Sequence, residues 1–170
     1  HSAPHTMHLF LSDSEDSAFL ADELRRTFPQ TAPREIAPAL LALDAAPNAA
    51  NTLVFARQHL PDAAEFRCDS IRAWAEQLFA AIAELIPENQ PWRLHIAPHY
   101  GDASGAGAGQ NRCALIGEAL GEMLHRKRRH LARSLVRETP PFDRATALVQ
   151  LLLVAPDHGF ISVALAPLPF

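Results

Sequence analysis

The stretch Ala147-Leu-Val-Gln-Leu-Leu-Leu-Val-Ala-Pro-Asp-His-Gly-Phe-Ile-Ser-Val-Ala-Leu165 decides the fold, because two apolar runs flank a turn signal. In the turn signal, residues 156–159, proline presets φ and glycine is able to adopt positive φ. This pattern predicts a β-hairpin. Its first strand is apolar at almost every position, which is typical of a strand buried on both faces. We therefore expect a sheet in which this strand is central and helices provide the cover.

The clearest amphipathic helix begins after Ser70, a good N-cap residue. Apolar residues follow at helical spacing from Ile71 to Ile86, and prolines at 87 and 91 end the pattern. The next segment, Trp92 to Ala97, alternates between apolar and polar residues as a strand does. The order predicted here is helix, then strand.

A loop rich in glycine and alanine, Gly101 to Gly109, leads to a second predicted helix. Asn111 is its expected N-cap, and the helix should run from Arg112 to about Leu131. Its apolar stripe consists of Ile116, Ala119, Leu120, Met123, Leu124, Leu131 and Leu135. Such a stripe predicts one helix face packed on the sheet.

The N-terminal part starts with a strand pattern, Met7 to Ser12. Ser12 and Glu15 have the spacing of a capping box, so a helix is predicted from there to about Phe28. Prolines interrupt residues 29–47, which we expect to be irregular. The β-branched and aromatic residues of Thr52 to Phe55 predict a short second strand, and Pro61 brings this region to an end. The whole sequence predicts an α/β fold of the α+β kind.

The composition limits the classes of protein to which the chain can belong. With 170 residues, 48% of them hydrophobic, the chain has enough apolar material for one domain or two small ones. It has no run of the roughly 20 apolar residues that a membrane span requires and no secretory signal, so a soluble cytoplasmic protein is expected. Cys68 and Cys113 are interpreted as buried thiols, and residues 1–6 as a disordered arm or the remnant of a tag.

We tested the sequence for catalytic, cofactor and metal motifs. A dinucleotide fingerprint that starts at Gly105 or Gly107 fails at its third glycine, where Gln110 and Arg112 stand. His95 and His99 would lie about 13 Å apart along a strand, too far for one zinc ion. The chain has no G-x-S-x-G elbow. We therefore predict no catalytic, cofactor-binding or metal-binding residue.

The net charge of −4 conceals an uneven distribution. Residues 1–66 contain nine acids and four arginines, whereas residues 125–137 contain six basic residues and no acid. If the second helix continues, Arg126, Arg129, Arg133 and Arg137 share one face. Two interpretations stay open, a solvated helix face and a phosphate-binding surface. The candidate RNA-binding residues are Arg126, Lys127, Arg128, Arg129, Arg133 and Arg137.

Four pieces of sequence together resemble a known family. They are the long helix from Arg112 and the segments Leu53-Val-Phe-Ala-Arg-Gln58, Trp92-Arg-Leu-His-Ile-Ala97 and Leu148-Val-Gln-Leu-Leu-Leu-Val-Ala-Pro156 with Gly159-Phe-Ile-Ser162. The pattern resembles the N-terminal region of FtsJ-type (RrmJ-like) 23S rRNA cytidine 2′-O-ribose methyltransferases that carry a THUMP domain. It extends from about Met7 to Ala166, and its most specific parts are Phe55-Ala-Arg-Gln58 and the closing hairpin.

The resemblance implies a small ferredoxin-like domain over residues 7–66 and a THUMP domain over residues 67–166. It implies that the chain holds ribosomal RNA for a Rossmann-like catalytic domain of the same polypeptide, which binds S-adenosylmethionine. The chain departs from the family in a shortened, proline-interrupted first domain and in an Ala/Gly insertion after Tyr100. The alternative is a protein-interaction or regulatory domain that binds no RNA, while a small nucleotide-dependent enzyme is a remote third possibility.

Overall fold

A computed structural model describes residues 7–44, 53–100, 107–136 and 146–165 of the protein. These residues form seven strands, four α-helices and one 3-10 turn at Ser14–Asp16. The strands are β1 (Met7–Leu11), β2 (Arg34–Ala37), β3 (Leu40–Leu43), β4 (Gln58–Arg67), β5 (Trp92–Pro98), β6 (Ala147–Ala155) and β7 (His158–Ala164). The helices are α1 (Ser17–Thr27), α2 (Ile71–Leu85), α3 (Ala108–Lys127) and α4 (Arg129–Ser134). The expected α+β class is confirmed.

Contacts between backbone segments divide the described residues into two compact units that meet in sequence at the Ala63–Ala64 bond. The division lies inside β4, three residues before the boundary that the resemblance implies. Whether the two units are a ferredoxin-like and a THUMP domain stays a prediction. No helix among the described residues has both the length and the apolar character needed to cross a bilayer.

The first unit is an antiparallel sheet in the order β2-β3-β1-β4, with α1 contributing to its core. Leu20 and Leu24 of α1 pack with buried residues of the strands, Phe10, Leu41 and Leu43. The capping box expected at the start of α1 is wrong. The N-cap residue of α1 is Asp16, which makes no side-chain cap bond, and the buried Ser12 hydroxyl donates to the Asp13 carbonyl oxygen.

Residues 34–43 form a β-hairpin, although we expected an irregular stretch there. β2 and β3 pair in antiparallel register around a turn at Pro38-Ala39, where Ala39 has a φ of 60°. Pro33 precedes the first strand and Pro38 lies in the turn, so neither proline removes an N–H group from the ladder. The proline spacing therefore marks the ends of the strands.

The strand expected over Thr52 to Phe55 is also wrong for the part that the structure describes. Leu53 to Phe55 are not in a strand, because the buried carboxylate of Glu23 accepts the N–H groups of Val54 at 2.7 Å and Phe55 at 3.0 Å. In a strand, those two N–H groups would point to opposite edges and donate to the strands on either side. Leu53 still serves the core, where it packs with Phe10 and Leu20.

The last strand of the unit is β4, which continues through Pro61, the proline expected to end a strand here. Its register with β1 shifts between the pairs Leu9↔Leu60 and Met7↔Ala63, so β4 has one more residue than its neighbour there. Pro61 lies in this bulge, and Asp62 has a φ of 49°. A bulge is where a proline fits in a strand, since the ladder is already interrupted.

The second unit contains β4-β7-β6-β5 with α2 and α3, and its sheet is mixed because β5 and β6 are parallel. The closing hairpin is confirmed, with pairs from Leu148↔Ala164 to Ala155↔His158. Its turn is shorter than expected, because Gly159 lies in β7 and does not have positive φ. The Ser70 cap is confirmed as well, since its Oγ accepts the N–H of Ala73 at 3.0 Å. The two helices pack on the face that carries Val149, Leu151 and Leu153, and Ile82 and Leu120 are fully buried as predicted.

Helix α3 begins at Ala108, earlier than expected, and Asn111 lies inside its first turn. The N-cap residue is Gly107 with a φ of 133°, a conformation that favours glycine. At Gly109 a side chain would meet the Pro98 ring, because an added Cβ would lie 2.8 Å from the Pro98 Cβ. The glycines therefore let the helix start directly against the end of β5, which sequence periodicity does not show.

Candidate nucleic-acid interface

Five of the six candidate RNA-binding residues lie at the junction of α3 and α4. We call Arg126, Lys127, Arg128, Arg129 and Arg133 the basic corner. All five are exposed. The sixth candidate, Arg137, lies outside the described residues. Consecutive Cα atoms are about 3.8 Å apart, so Arg126 and Arg129 are within about 11 Å of each other by chain connection alone.

The single helix expected as far as Leu131 is wrong, because α3 stops at Lys127. Arg128 has φ −145° and ψ 66°, which is not helical, and α4 starts at the next residue. The N–H of Arg128 still donates to the Leu124 carbonyl, and its own carbonyl accepts the N–H of Leu131 at 3.0 Å. The basic residues therefore do not form one helical stripe. Arg126 belongs to α3, whereas Arg129 and Arg133 lie one turn apart on α4.

Trp92 at the start of β5 holds α4 in place. Its indole Nε1–H donates to the Leu131 carbonyl at 2.9 Å, and its carbonyl accepts the N–H of Val136 at 2.7 Å. Leu135 has left the helix and forms a parallel bridge with Trp92. A buried indole N–H requires an acceptor. In a continuous helix the Leu131 carbonyl would be bonded to the Leu135 N–H, so ending the helix there makes that carbonyl available to Trp92.

No described carboxylate forms an ion pair with the basic corner. Over the described ranges, ion pairs join Arg25 to Asp22, Arg34 to Asp44, Arg57 to Asp13 and Arg72 to Glu76, but none includes a residue of the basic corner. Instead, Arg126 and Arg129 approach carbonyl oxygens one turn back through Nε, at 3.5 and 3.4 Å. The C-terminal end of α3 carries partial negative charge, which favours cations there.

One member of the corner is partly anchored to the core of its unit. The Lys127 Nζ lies 5.9 Å from the centre of the Phe79 ring, a cation–π distance. Leu131, which follows the corner, is 1% exposed and packs in the same core as Trp92 and Leu124. The cations are thus carried on backbone that buried side chains fix in position, while the charged groups themselves face solvent.

The described ranges give little support for a metal site or for a nucleophilic cysteine. They contain no group of three or more histidine, cysteine or acidic side chains that could hold a metal ion. Cys68 and Cys113 are buried free thiols, as expected, and burial raises the pKa of both. A buried thiol with a raised pKa is a poor nucleophile, since the thiolate is the reactive form.

Sequence reasoning missed a cleft at the opposite end of α3. It has a volume of about 520 Å³, with apolar walls from Ile71, Leu115 and Pro156, and with Tyr100, Asn111 and Arg112 among its lining residues. We interpreted Asn111 as a cap and Arg112 as the first helical residue, so neither was a candidate. The glycine-rich loop before these residues was the one sequence signal in this region, and its glycine spacing did not match a nucleotide-binding motif.

Comparisons with known proteins find similarity to solved structures. No family model matches the chain, and no curated protein is similar to it in sequence. Among solved structures, TrmN from Thermus thermophilus is similar over 95% of this chain and 46% of its own, with 16% identity and a TM-score of 0.59. A predicted N6-adenine-specific DNA methylase from Listeria monocytogenes is similar over 94% of this chain and 40% of its own, with 16% identity and a TM-score of 0.57.

A third solved structure is a complex of a 4-thiouridine synthetase with RNA and bound ATP. It is similar over 96% of this chain and 42% of its own, with 7% identity and a TM-score of 0.51. At such identities the likeness concerns the fold alone. The chain spans less than half the length of each of these three proteins.

Proposed function

We propose that this chain is the RNA-binding part of a larger RNA-modifying methyltransferase and that the basic corner contacts RNA phosphates. The observation that carries the proposal is a group of exposed cations at a fixed helix junction, with no carboxylate partner in the described residues. Arginine presents a planar set of donors that suits phosphate oxygens. An arginine that is already paired with a carboxylate must lose that ion pair before it can bind a phosphate. The arginines of the basic corner do not have to break an ion pair with a described carboxylate.

The finer proposal rests on the sequence resemblance. In it, the substrate is 23S rRNA, the reaction is methylation of a cytidine ribose 2′-oxygen, and S-adenosylmethionine binds a separate Rossmann-like domain of the same polypeptide. The structural neighbours support the coarser class, because one is a complex with RNA and another is described as a predicted DNA methylase. We expect the chain alone to bind no S-adenosylmethionine, which calorimetry would test.

A protein-binding role is the second candidate, and one observation favours it. In the first unit Phe19 is 55% exposed and stacks on Phe55, and the adjacent Val54 is 77% exposed. Exposed apolar residues of this kind suit a protein partner. Salt distinguishes the two candidates, because phosphate binding weakens steeply as salt rises, whereas association through an apolar face changes little.

The test is a titration of a structured rRNA fragment at two salt concentrations. It compares the wild type with a variant in which Arg126, Arg129 and Arg133 are alanine. Removing one arginine–phosphate interaction should lower the slope of log affinity against log salt by about 0.7 to 0.9. The triple variant should therefore bind more weakly and with a slope reduced by about 2 to 3.

The matched control replaces Arg25, Arg34 and Arg57 with alanine. It removes the same number of positive charges, but from arginines that are paired with aspartates. It should bind RNA nearly as well as the wild type if position matters more than net charge. Equal weakening by both variants would show that only net charge acts. No RNA binding by the wild type would refute the proposal for this chain.

A further inference from the structure

The cleft at the start of α3 has the composition of a binding site for a planar, partly polar ligand. Its volume of about 520 Å³ falls within the usual range of about 300–1,000 Å³ for small-molecule pockets. Ile71, Leu115 and Pro156 give it apolar walls, and Tyr100 adds an aromatic ring. Leu115 is a large apolar side chain that stays 39% exposed on the helix surface. An apolar ligand surface would cover it.

Arg112 is positioned at this cleft by a specific hydrogen bond. Its Nε donates to the Pro156 carbonyl at 2.9 Å, and the same carbonyl accepts the indole N–H of Trp74 at 3.1 Å. Trp74 is fully buried, so the carbonyl that orients the guanidinium is itself held by the core. Across the described ranges, Arg112 forms no ion pair with a carboxylate. Its terminal N–H donors therefore remain for an anionic ligand.

These groups match the parts of one nucleotide. A base would contact the apolar walls and the Tyr100 ring, the exposed Asn111 amide offers both a donor and an acceptor to a base edge, and Arg112 suits a phosphate. A paired base keeps its edge and both faces occupied within the duplex, so an unpaired nucleotide is required. We propose that the cleft binds an unpaired nucleotide of the RNA, and this proposal rests on the proposed function that the chain binds RNA.

The cleft and the basic corner lie at opposite ends of the same helix. Arg112 and Arg126, 14 positions apart on α3, are separated by about 20 Å along its axis. Glu118 and Glu122 lie on the exposed part of the helix between them and would repel a phosphate backbone. The arrangement therefore favours two separate contacts, with a structured segment at the corner and a single-stranded segment at the cleft.

The experiment uses an RNA hairpin with an unpaired tail, the same hairpin without the tail, and the tailed hairpin with abasic nucleotides in the tail. The full chain should bind the tailed hairpin at least about 5-fold more tightly than the blunt one, because one base stacked on an aromatic ring contributes about 1 kcal/mol or more. Abasic nucleotides should remove the gain. The variant combining Asn111→Ala and Leu115→Glu should remove it too, while binding of the blunt hairpin persists.

Ala114→Glu is the matched control, since it adds the same charge at an exposed position next to Leu115 that does not line the cleft. Both variants should keep the wild-type circular dichroism spectrum, because the altered side chains are exposed. The control should retain the gain from the tail.

The proposal is overturned if the tail adds no affinity, if the gain survives in the cleft variant, or if it survives with abasic nucleotides. It is also overturned if free adenosine monophosphate binds the cleft as tightly as the tail does, because the site would then serve a small molecule. The alanine variant of Arg126, Arg129 and Arg133 separates this outcome from the proposed function. Should that variant lose binding of the blunt hairpin while the tail has no effect, the corner binds RNA and the cleft does not.

Discussion

Two buried histidines should make the first unit sensitive to mild acid. His8 on β1 and His59 on β4 are each 5% exposed, and their rings share a hydrogen bond of 3.1 Å between Nδ1 of His8 and Nε2 of His59. The His59 ring also stacks on Phe10, with centroids 4.5 Å apart. Burial, assisted by the neighbouring His8, lowers the pKa of His59 to about 4. Burial also lowers the pKa of His8, although the nearby Asp62 opposes this effect.

The direction of the pH effect follows from these pKa values. In the unfolded chain, His59 takes up a proton near its ordinary pKa of 6.5, whereas in the folded protein it stays neutral until about pH 4. The unfolded state therefore binds more protons between these two values, so stability falls as the pH falls through this window and is unaffected by His59 above it. The difference between the pKa values of His59 in the unfolded and folded states corresponds to about 3 kcal/mol of unfolding free energy, which is lost by about pH 4.

The two histidines should protonate in order. A proton on His8 would lie beside Asp62, whose Oδ1 is 3.8 Å from the His8 Nε2, and the hydrogen bond between the rings would persist with His8 as its donor. A second proton, on His59, would place two N–H groups face to face and break that bond. As the pH falls, the loss of stability should therefore become shallower once His8 is charged in the folded protein, because the unfolded chain then binds only one proton more and no longer two.

The assay combines urea unfolding at a series of pH values with an NMR titration of the histidine rings. His59→Phe keeps an aromatic ring on Phe10 but removes the titrating group. Between pH 6.5 and pH 4, this variant should therefore lose about 3 kcal/mol less unfolding free energy than the wild type. His125→Gln, at an exposed position, is the control and should behave as the wild type. A His59 ring that titrates near pH 6.5, or equal pH dependence in wild type and His59→Phe, would refute this reasoning.

Two further substitutions test the packing. Leu131→Ala removes a side chain that is 1% exposed, so unfolding followed by tryptophan fluorescence should show a loss of about 2 to 5 kcal/mol, while Leu115→Ala at a 39% exposed position should cost less than about 1 kcal/mol. Similar costs for both would contradict the core position of Leu131. Glu23→Ala removes the acceptor of two backbone N–H groups and should cost about 2 to 4 kcal/mol. Hydrogen exchange at Val54 and Phe55 should accelerate in this variant, and unchanged protection there would count against the assigned role.

The fold could be predicted best where one local pattern was sufficient. The spacing of apolar residues after Ser70 specified α2, and the two apolar runs on either side of Pro156 specified the closing hairpin, because both elements depend on neighbours within a few residues. The basic corner was visible for the same reason, since its residues are adjacent in sequence. The cleft was not, because Tyr100, Arg112 and Pro156 are brought together only by the packing of α3 beside the end of β5.

The sequence by itself determined the α+β class, the central apolar strand and the presence of a cation cluster near residue 128, since periodicity and composition record which faces are buried. Tertiary structure alone decided the rest. Trp92 draws the Leu131 carbonyl out of a helix that local propensity would have continued, and Glu23 takes the N–H groups that would have made residues 53–55 a strand. In each case a distant partner satisfies a buried polar group, and leaving such a group unsatisfied costs about 1 to 3 kcal/mol, more than the few tenths that separate helix, strand and loop for one residue.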